Sequence, residues 1–269
     1  MIRLPEKGLP EVALRRLASW QAEVDALAIH AERVIEARRR FRQRNTPRNA
    51  TFVVVRQSLT DMCSGARRCG YCEDSGADEI DHIWPKDLYP EQVFAWRNFL
   101  YACGWCNREK RDAFAVFPRR ARNLLEVGRT HREGRTPPPA GVPGLIDPRG
   151  EDPMELLGLD LQGTFRFLPL ARKGTRGYAR AAYTLRVLQL NREVLTVARR
   201  EAFFSYRARL MEYVSLKERG ASAKSLGLLV QAIQRASHPT VWREMQRLHQ
   251  VPMLTLRALF RKAPEALEW

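Results

Sequence analysis

The chain has 269 residues, 45% hydrophobic and 28% charged, a balance that excludes a disordered polymer and allows one large or two modest globular domains. Its 46 Lys and Arg against 30 Asp and Glu give a formal charge of +16, which attracts polyanions, nucleic acid first among them. No apolar run approaches a membrane span and the opening MIRLPEKGLPEV lacks a secretory core, so the expected compartment is the cytoplasm, where cysteines stay reduced.

Residues 10–44 place Leu17, Trp20, Val24, Leu27, Ala31 and Val34 at alternating three- and four-residue steps. That spacing predicts one amphipathic helix packed on the core, with a seam for a partner protein as the alternative. Its tail carries Arg38, Arg39, Arg40, Arg42 and Arg44, either a solvated face or a nucleic-acid contact. NTPRN ends this pattern, and TFVVVRQSLTDMC reads as a second helix or a buried strand, since its β-branched run suits both. Cys63 is expected to be a small buried side chain.

Short elements are expected from Cys69 to about Pro118. Residues 128–153, GRTHREGRTPPPAGVPGLIDPRGEDP, read as a linker or long surface loop. GTFRFLPL reads as a short strand, and several helices are expected from about Arg176, with Asn191 as an N-cap. Tyr178, Tyr183, Phe203, Phe204 and Tyr206 suit either the core or base stacking, and Arg199, Arg200, Arg207 and Arg209 either a solvated face or a phosphate track. The expected fold is α+β, mainly α. It divides into an N-terminal helical region (1–65), a small cysteine-bracketed module (66–127), the linker (128–153) and a mainly helical C-terminal region (154–269).

Cys69-x2-Cys72 and Cys103-x2-Cys106 form two knuckles thirty residues apart. Each turn aims two thiolates at one ion, and together they predict a tetrahedral four-cysteine zinc site. Two disulfides, an iron–sulfur cluster and a thioredoxin-like redox pair are the alternatives. A reducing compartment weighs against the first, and the doubled geometry weighs against the last. With four thiolates the zinc has no open position, so it is structural rather than catalytic.

Between the knuckles lies EIDHIWPK, with Asp81 directly before His82. Asn98 follows in WRNFLYAC, Asn107 comes straight after the last cysteine, and Lys110 stands three residues beyond. From about Arg68 to Phe117 this order resembles the HNH nuclease family in its zinc-ribbon version. The resemblance implies a two-stranded hairpin and a helix gripping one divalent cation. Asp81 and Asn107 would be its ligands, His82 the general base, and Asn98 a brace for the loop that orients the histidine. Lys110 would contact a phosphate, and Lys86, Arg108 and Arg111 are further nucleic-acid-binding candidates. Oxygen ligands favour Mg²⁺ or Mn²⁺ as the catalytic ion. Asn107 departs from the histidine that many members carry there, which favours Mg²⁺. Glu79 lies two residues before Asp81 on the same strand face, as an outer partner of the site or a solvated carboxylate.

The layout is most similar to the HNH subunits of Septu-type and retron-associated anti-phage systems, with weaker echoes in LIDPRGEDP and TLRVLQLNREVLTVAR. That resemblance implies a companion ATPase of the ABC or SMC-like kind. It also implies a nucleic-acid substrate, DNA favoured and RNA possible. The alternatives are a stand-alone restriction-type HNH enzyme and a zinc-stabilised nucleic-acid-binding module without catalysis.

Overall fold

The computed structural model describes residues 1–119, 121–127, 136–252 and 255–269. Three helices precede the cysteine region: α1 (Glu11–Asp25), α2 (His30–Arg44) and α3 (Ala50–Met62). The single helix expected over 10–44 is therefore broken. Ile29 adopts extended backbone, and Arg33 Nε takes the freed carbonyl of Leu27 at 2.5 Å. No Gly or Pro marks this break, and the apolar rhythm runs through it in phase. What selects it is packing, because the fold-back brings Phe41 of α2 and Trp20 of α1 onto Phe52 of α3, with ring centroids 5.6 and 6.0 Å away.

The ambiguous β-branched run resolves as helix. Asn49 Oδ1 accepts from the Phe52 amide at 3.2 Å as an N-cap, and Phe52, Val55, Leu59 and Met62 bury one helical face.

A hairpin follows: β1 (Glu79–His82) pairs antiparallel with β2 (Phe99–Ala102), setting Asp81 opposite Leu100 and His82 opposite Phe99. Helix α4 (Gly104–Lys110) leaves directly from β2. Then β3 (Ala115–Pro118) is flanked by β4 (Leu125–Glu126) and β5 (Gly141–Pro143) in a three-stranded sheet. Of the stretch read as a linker, residues 128–135 lie outside the described residues. Its later part is built into the fold: Gly141–Pro143 is a strand, and Leu145 and Ile146 are fully buried. Another small sheet pairs β6 (Leu157–Leu159) with β7 (Phe167–Pro169), where the sequence predicts a strand.

The remainder is helical: α5 (Arg176–Val187), α6 (Glu193–Glu218), α7 (Ala223–Gln234), α8 (Pro239–Arg247) and α9 (Arg257–Lys262). Asn191 does not cap α6, whose cap position is Arg192. Its amide instead bonds the Phe167 N–H (2.7 Å) and carbonyl (2.9 Å), satisfying the strand edge. Arg199 is buried, donating to the Leu190 carbonyl at 2.6 Å beneath the Phe167 ring, and so tracks no phosphate. Tyr183, Phe203 and Tyr206 are core residues, whereas Phe204 is exposed.

The architecture is α+β and mainly α. Among the described residues no helix is long and apolar enough to cross a membrane. Cohesion between regions is polar as well as apolar: Glu73 accepts from Thr240 Oγ1 (2.6 Å) and Thr240 N (3.2 Å), joining the first knuckle to α8.

Candidate metal centre and active-site cavity

The two knuckles converge as their spacing predicts. Cys69, Cys72, Cys103 and Cys106 are all buried, and their Sγ atoms lie within 4.8 Å of one another. A tetrahedral zinc with Zn–S near 2.3 Å requires sulfurs about 3.8 Å apart, and Cys72 Sγ and Cys103 Sγ are 3.8 Å apart. The Tyr71 amide points at Cys69 Sγ (3.4 Å) and the Cys106 amide at Cys103 Sγ (3.5 Å), so backbone dipoles favour thiolate character at both knuckles. Bonds from Cys103 and Cys106 pull the Cys72 thiol well below its ordinary range, while burial pushes Cys69 up. This crowded quartet has the donor set and size to hold zinc.

Directly beside it, a cavity of about 630 Å³ opens over β1. Glu79, Asp81 and His82 of β1, Asn107 of α4, and Lys86 and Arg111 all line it. Phe41, Asn45 and Arg56 of the N-terminal helices form another part of its wall. Asp81 and His82 are each only 4% exposed, so they sit at the bottom of a recess.

Asp81 is held from two sides. Tyr71 donates its hydroxyl to Oδ2 at 2.6 Å, and the fully buried Lys110 ammonium lies 3.2 Å from both carboxylate oxygens. Lys110 also donates to the His82 carbonyl at 2.6 Å. Burial lowers its pKa, and the Asp81 charge opposes that shift. The structure thus places Lys110 as an internal counter-charge away from the cavity lining, not at the phosphate position expected from the sequence.

His82 is enclosed by rings, with Phe41 at 4.5 Å and Phe99 at 5.3 Å, both edge-on. Its Nε2 lies 2.9 Å from the Val93 carbonyl. A carbonyl only accepts, so Nε2 carries the proton and Nδ1 keeps the lone pair. Burial, then the nearby Lys86 charge, depresses its pKa well below the usual value, so the imidazole is neutral near pH 7.

Asn98 is buried and touches none of the cavity. Its Oδ1 accepts from the Trp84 amide (2.7 Å), and its Nδ2 donates to the carbonyls of Trp84 (3.0 Å) and Gln92 (2.9 Å). It staples the excursion between β1 and β2. Asn107 Nδ2 donates to Glu79 Oε2 at 2.5 Å, which leaves its Oδ1 available as a ligand oxygen. Glu79 is therefore a partner of the site. Arg108 does not line the cavity; it packs over Trp105, as does Arg192.

Sequence reasoning assigns no role to Tyr71, Asn45 or Arg56. Tyr71 had one signal, an aromatic inside a cysteine knuckle, which reads equally well as packing. The others come from helices whose polar positions look alike in the sequence.

A 61-residue segment is 38% identical to the Septu protein PtuB of Bacillus thuringiensis, covering 21% of this chain and 23% of that protein. Most of both chains thus lies outside the match. No family model and no solved structure matches the chain.

Proposed function

We propose that this chain is a metal-dependent HNH-type endonuclease that hydrolyses phosphodiester bonds, and that it serves as the nuclease component of an anti-phage defence assembly. The observation carrying the nuclease reading is the recess in which Asp81, neutral His82 and Asn107 face one cavity beside a four-cysteine staple. Local similarity to a Septu protein supports the defence reading.

In this reading residues 66–127 supply the chemistry, and α2 and α3 supply part of its wall. His82 Nδ1 takes the proton of the attacking water, while the Val93 carbonyl holds Nε2–H and steadies the imidazolium that forms. Tyr71 and Lys110 fix the Asp81 carboxylate. Lys86, Arg111 and Arg56 draw the phosphate into the recess. Asp81 and Asn107 Oδ1, both hard oxygens, would hold Mg²⁺ or Mn²⁺, which when bound neutralises charge on the phosphoryl and leaving oxygens. Asn98 is a positioning residue rather than a catalytic one.

The test is cleavage of plasmid DNA and of total RNA with Mg²⁺ or Mn²⁺, comparing wild type with His82→Ala, alone and with a companion ATPase. Cleavage lost in the variant supports the reading and names the polymer. Cleavage retained by His82→Ala removes His82 as the base. No cleavage under any condition leaves a zinc-stabilised binding module.

A further inference from the structure

The carbonyl that sets the protonation of His82 belongs to a short turn, and that turn is gripped from outside the hairpin. Pro90–Gln92 forms a single 3-10 turn, followed by buried Val93 and Phe94. Gln21, on α1, reaches both ends of this segment. Its Oε1 accepts from the Phe94 amide at 2.9 Å, and its Nε2 donates to the Pro90 carbonyl at 3.1 Å. Between those two anchors the Val93 carbonyl accepts from His82 Nε2 at 2.9 Å. The neighbouring Trp20 packs on Phe94 with ring centroids 5.6 Å apart, and Asn98 ties the Gln92 carbonyl from the other side.

We propose that Gln21 is a positioning residue for His82: by pinning both ends of residues 90–94 it aims the Val93 carbonyl at Nε2. This keeps the proton there and the lone pair on Nδ1. The inference rests on reading His82 as the base, but its geometry concerns a hydrogen bond that exists whether or not the chain cleaves anything. A primary amide is suited to this task because one end accepts and the other donates, matching an amide N–H and a carbonyl four residues apart. Methionine fills similar volume and does neither. Glutamate still accepts from Phe94 but has no N–H for Pro90, nor for Asp25 Oδ1, which Gln21 Nε2 also meets at 3.0 Å and which would repel a second carboxylate. Gln21 is half-buried, so neither substitution opens a cavity in the core.

The consequence is a graded series. In the zinc-loaded full chain, the His82 Nε2–H proton, sheltered by Val93, should give an exchange-protected imidazole resonance in ¹⁵N–¹H spectra. That signal should weaken in Gln21→Glu and vanish into solvent exchange in Gln21→Met, while the circular dichroism of both variants matches wild type. If the wild-type chain cleaves nucleic acid, kcat should fall about tenfold or more in Gln21→Met, with KM changed less than about twofold, since a positioned base is worth roughly 10²–10⁴ in rate. Loss of the resonance in a chain that never cleaves would retain the positioning role and reject the nuclease reading. A protected resonance unchanged in Gln21→Met, or absent from the wild type, would overturn the positioning role itself. If Gln21→Met does not fold, the same comparison is made between wild type and Gln21→Glu, where an unchanged signal and rate overturn it equally.

Discussion

At the scale of single residues, Asp81 and Lys110 form an ion pair buried beneath the recess, with side chains 4% and 0% exposed. Consecutive strand residues point to opposite faces, so Asp81 turns to Tyr71 and Lys110 while His82 turns to Phe41 and Phe99, and it is the surrounding packing that leaves both lining one recess. A lysine after a helix-opening cysteine pair looks like a surface charge, and only tertiary packing turns it inward onto Asp81 and the His82 carbonyl. Lys110→Met should therefore cost stability rather than only nucleic-acid affinity. Breaking a buried ion pair from one side leaves the other charge unpaired, a loss of about 3–5 kcal/mol, read as a lower urea midpoint. An unchanged midpoint with weakened nucleic-acid binding would return Lys110 to the phosphate. Cys63 carries a second expectation. Burial pushes its thiol up to about 11, and its Sγ donates to the Leu59 carbonyl at 3.3 Å. Thiolate is the reactive form, so at pH 8 only about one molecule in a thousand is nucleophilic there. Alkylation should be slow at pH 8 and accelerate as pH rises toward 11. Rapid labelling of Cys63 at pH 7 would contradict this placement.

At the scale of elements, the failures of sequence reading share one cause: local pattern does not report what a segment packs against. The break between α1 and α2 carries no breaker residue, yet without it Phe41 would not reach His82. Asn191 has an N-cap's chemistry but spends it on a strand edge instead. The cysteine pairs, by contrast, converge as their spacing predicts, because a four-cysteine quartet demands a fixed geometry regardless of context. They join three elements that share little core of their own: the first knuckle, β2 and α4. Structural zinc sites of this kind supply about 10–16 kcal/mol of apparent binding free energy, which is also folding free energy. Cys69→Ser should accordingly lower both the zinc content and the melting temperature, and wild-type protein should lose stability on treatment with a strong chelator. Zinc bound one-to-one in Cys69→Ser, measured by atomic emission after dialysis, would mean that the quartet is not the site.

At the scale of the whole molecule, the boundaries suggested by composition describe the sequence better than the packing. The Pro- and Gly-rich stretch supplies a strand to the sheet around β3 and two fully buried residues, Leu145 and Ile146. It also supplies Arg149, whose Nη1 donates to the carbonyls of Trp96 (2.5 Å) and Phe99 (2.7 Å), on either side of Asn98. Phe52 and Trp20 reach the hairpin from the front of the chain, and Thr240 grips Glu73 from near its end. Part of the hairpin's cover thus comes from outside residues 66–127. Cutting the chain at 66 and 127 would expose Phe99 and Leu100, strip β3 of β5, and leave the Trp96 and Phe99 carbonyls without the guanidinium that satisfies them. Unpaired buried polar groups cost about 1–3 kcal/mol each, and a fragment of this size has little core to offset them. The excised segment 66–127 should therefore bind zinc at its cysteines yet lack a dispersed, native-like NMR spectrum. Full-length protein under the same conditions should show one. A well-dispersed spectrum from the fragment, with the His82 imidazole proton protected as in the intact chain, would establish the module as self-sufficient and reduce the flanking helices to a wall around it.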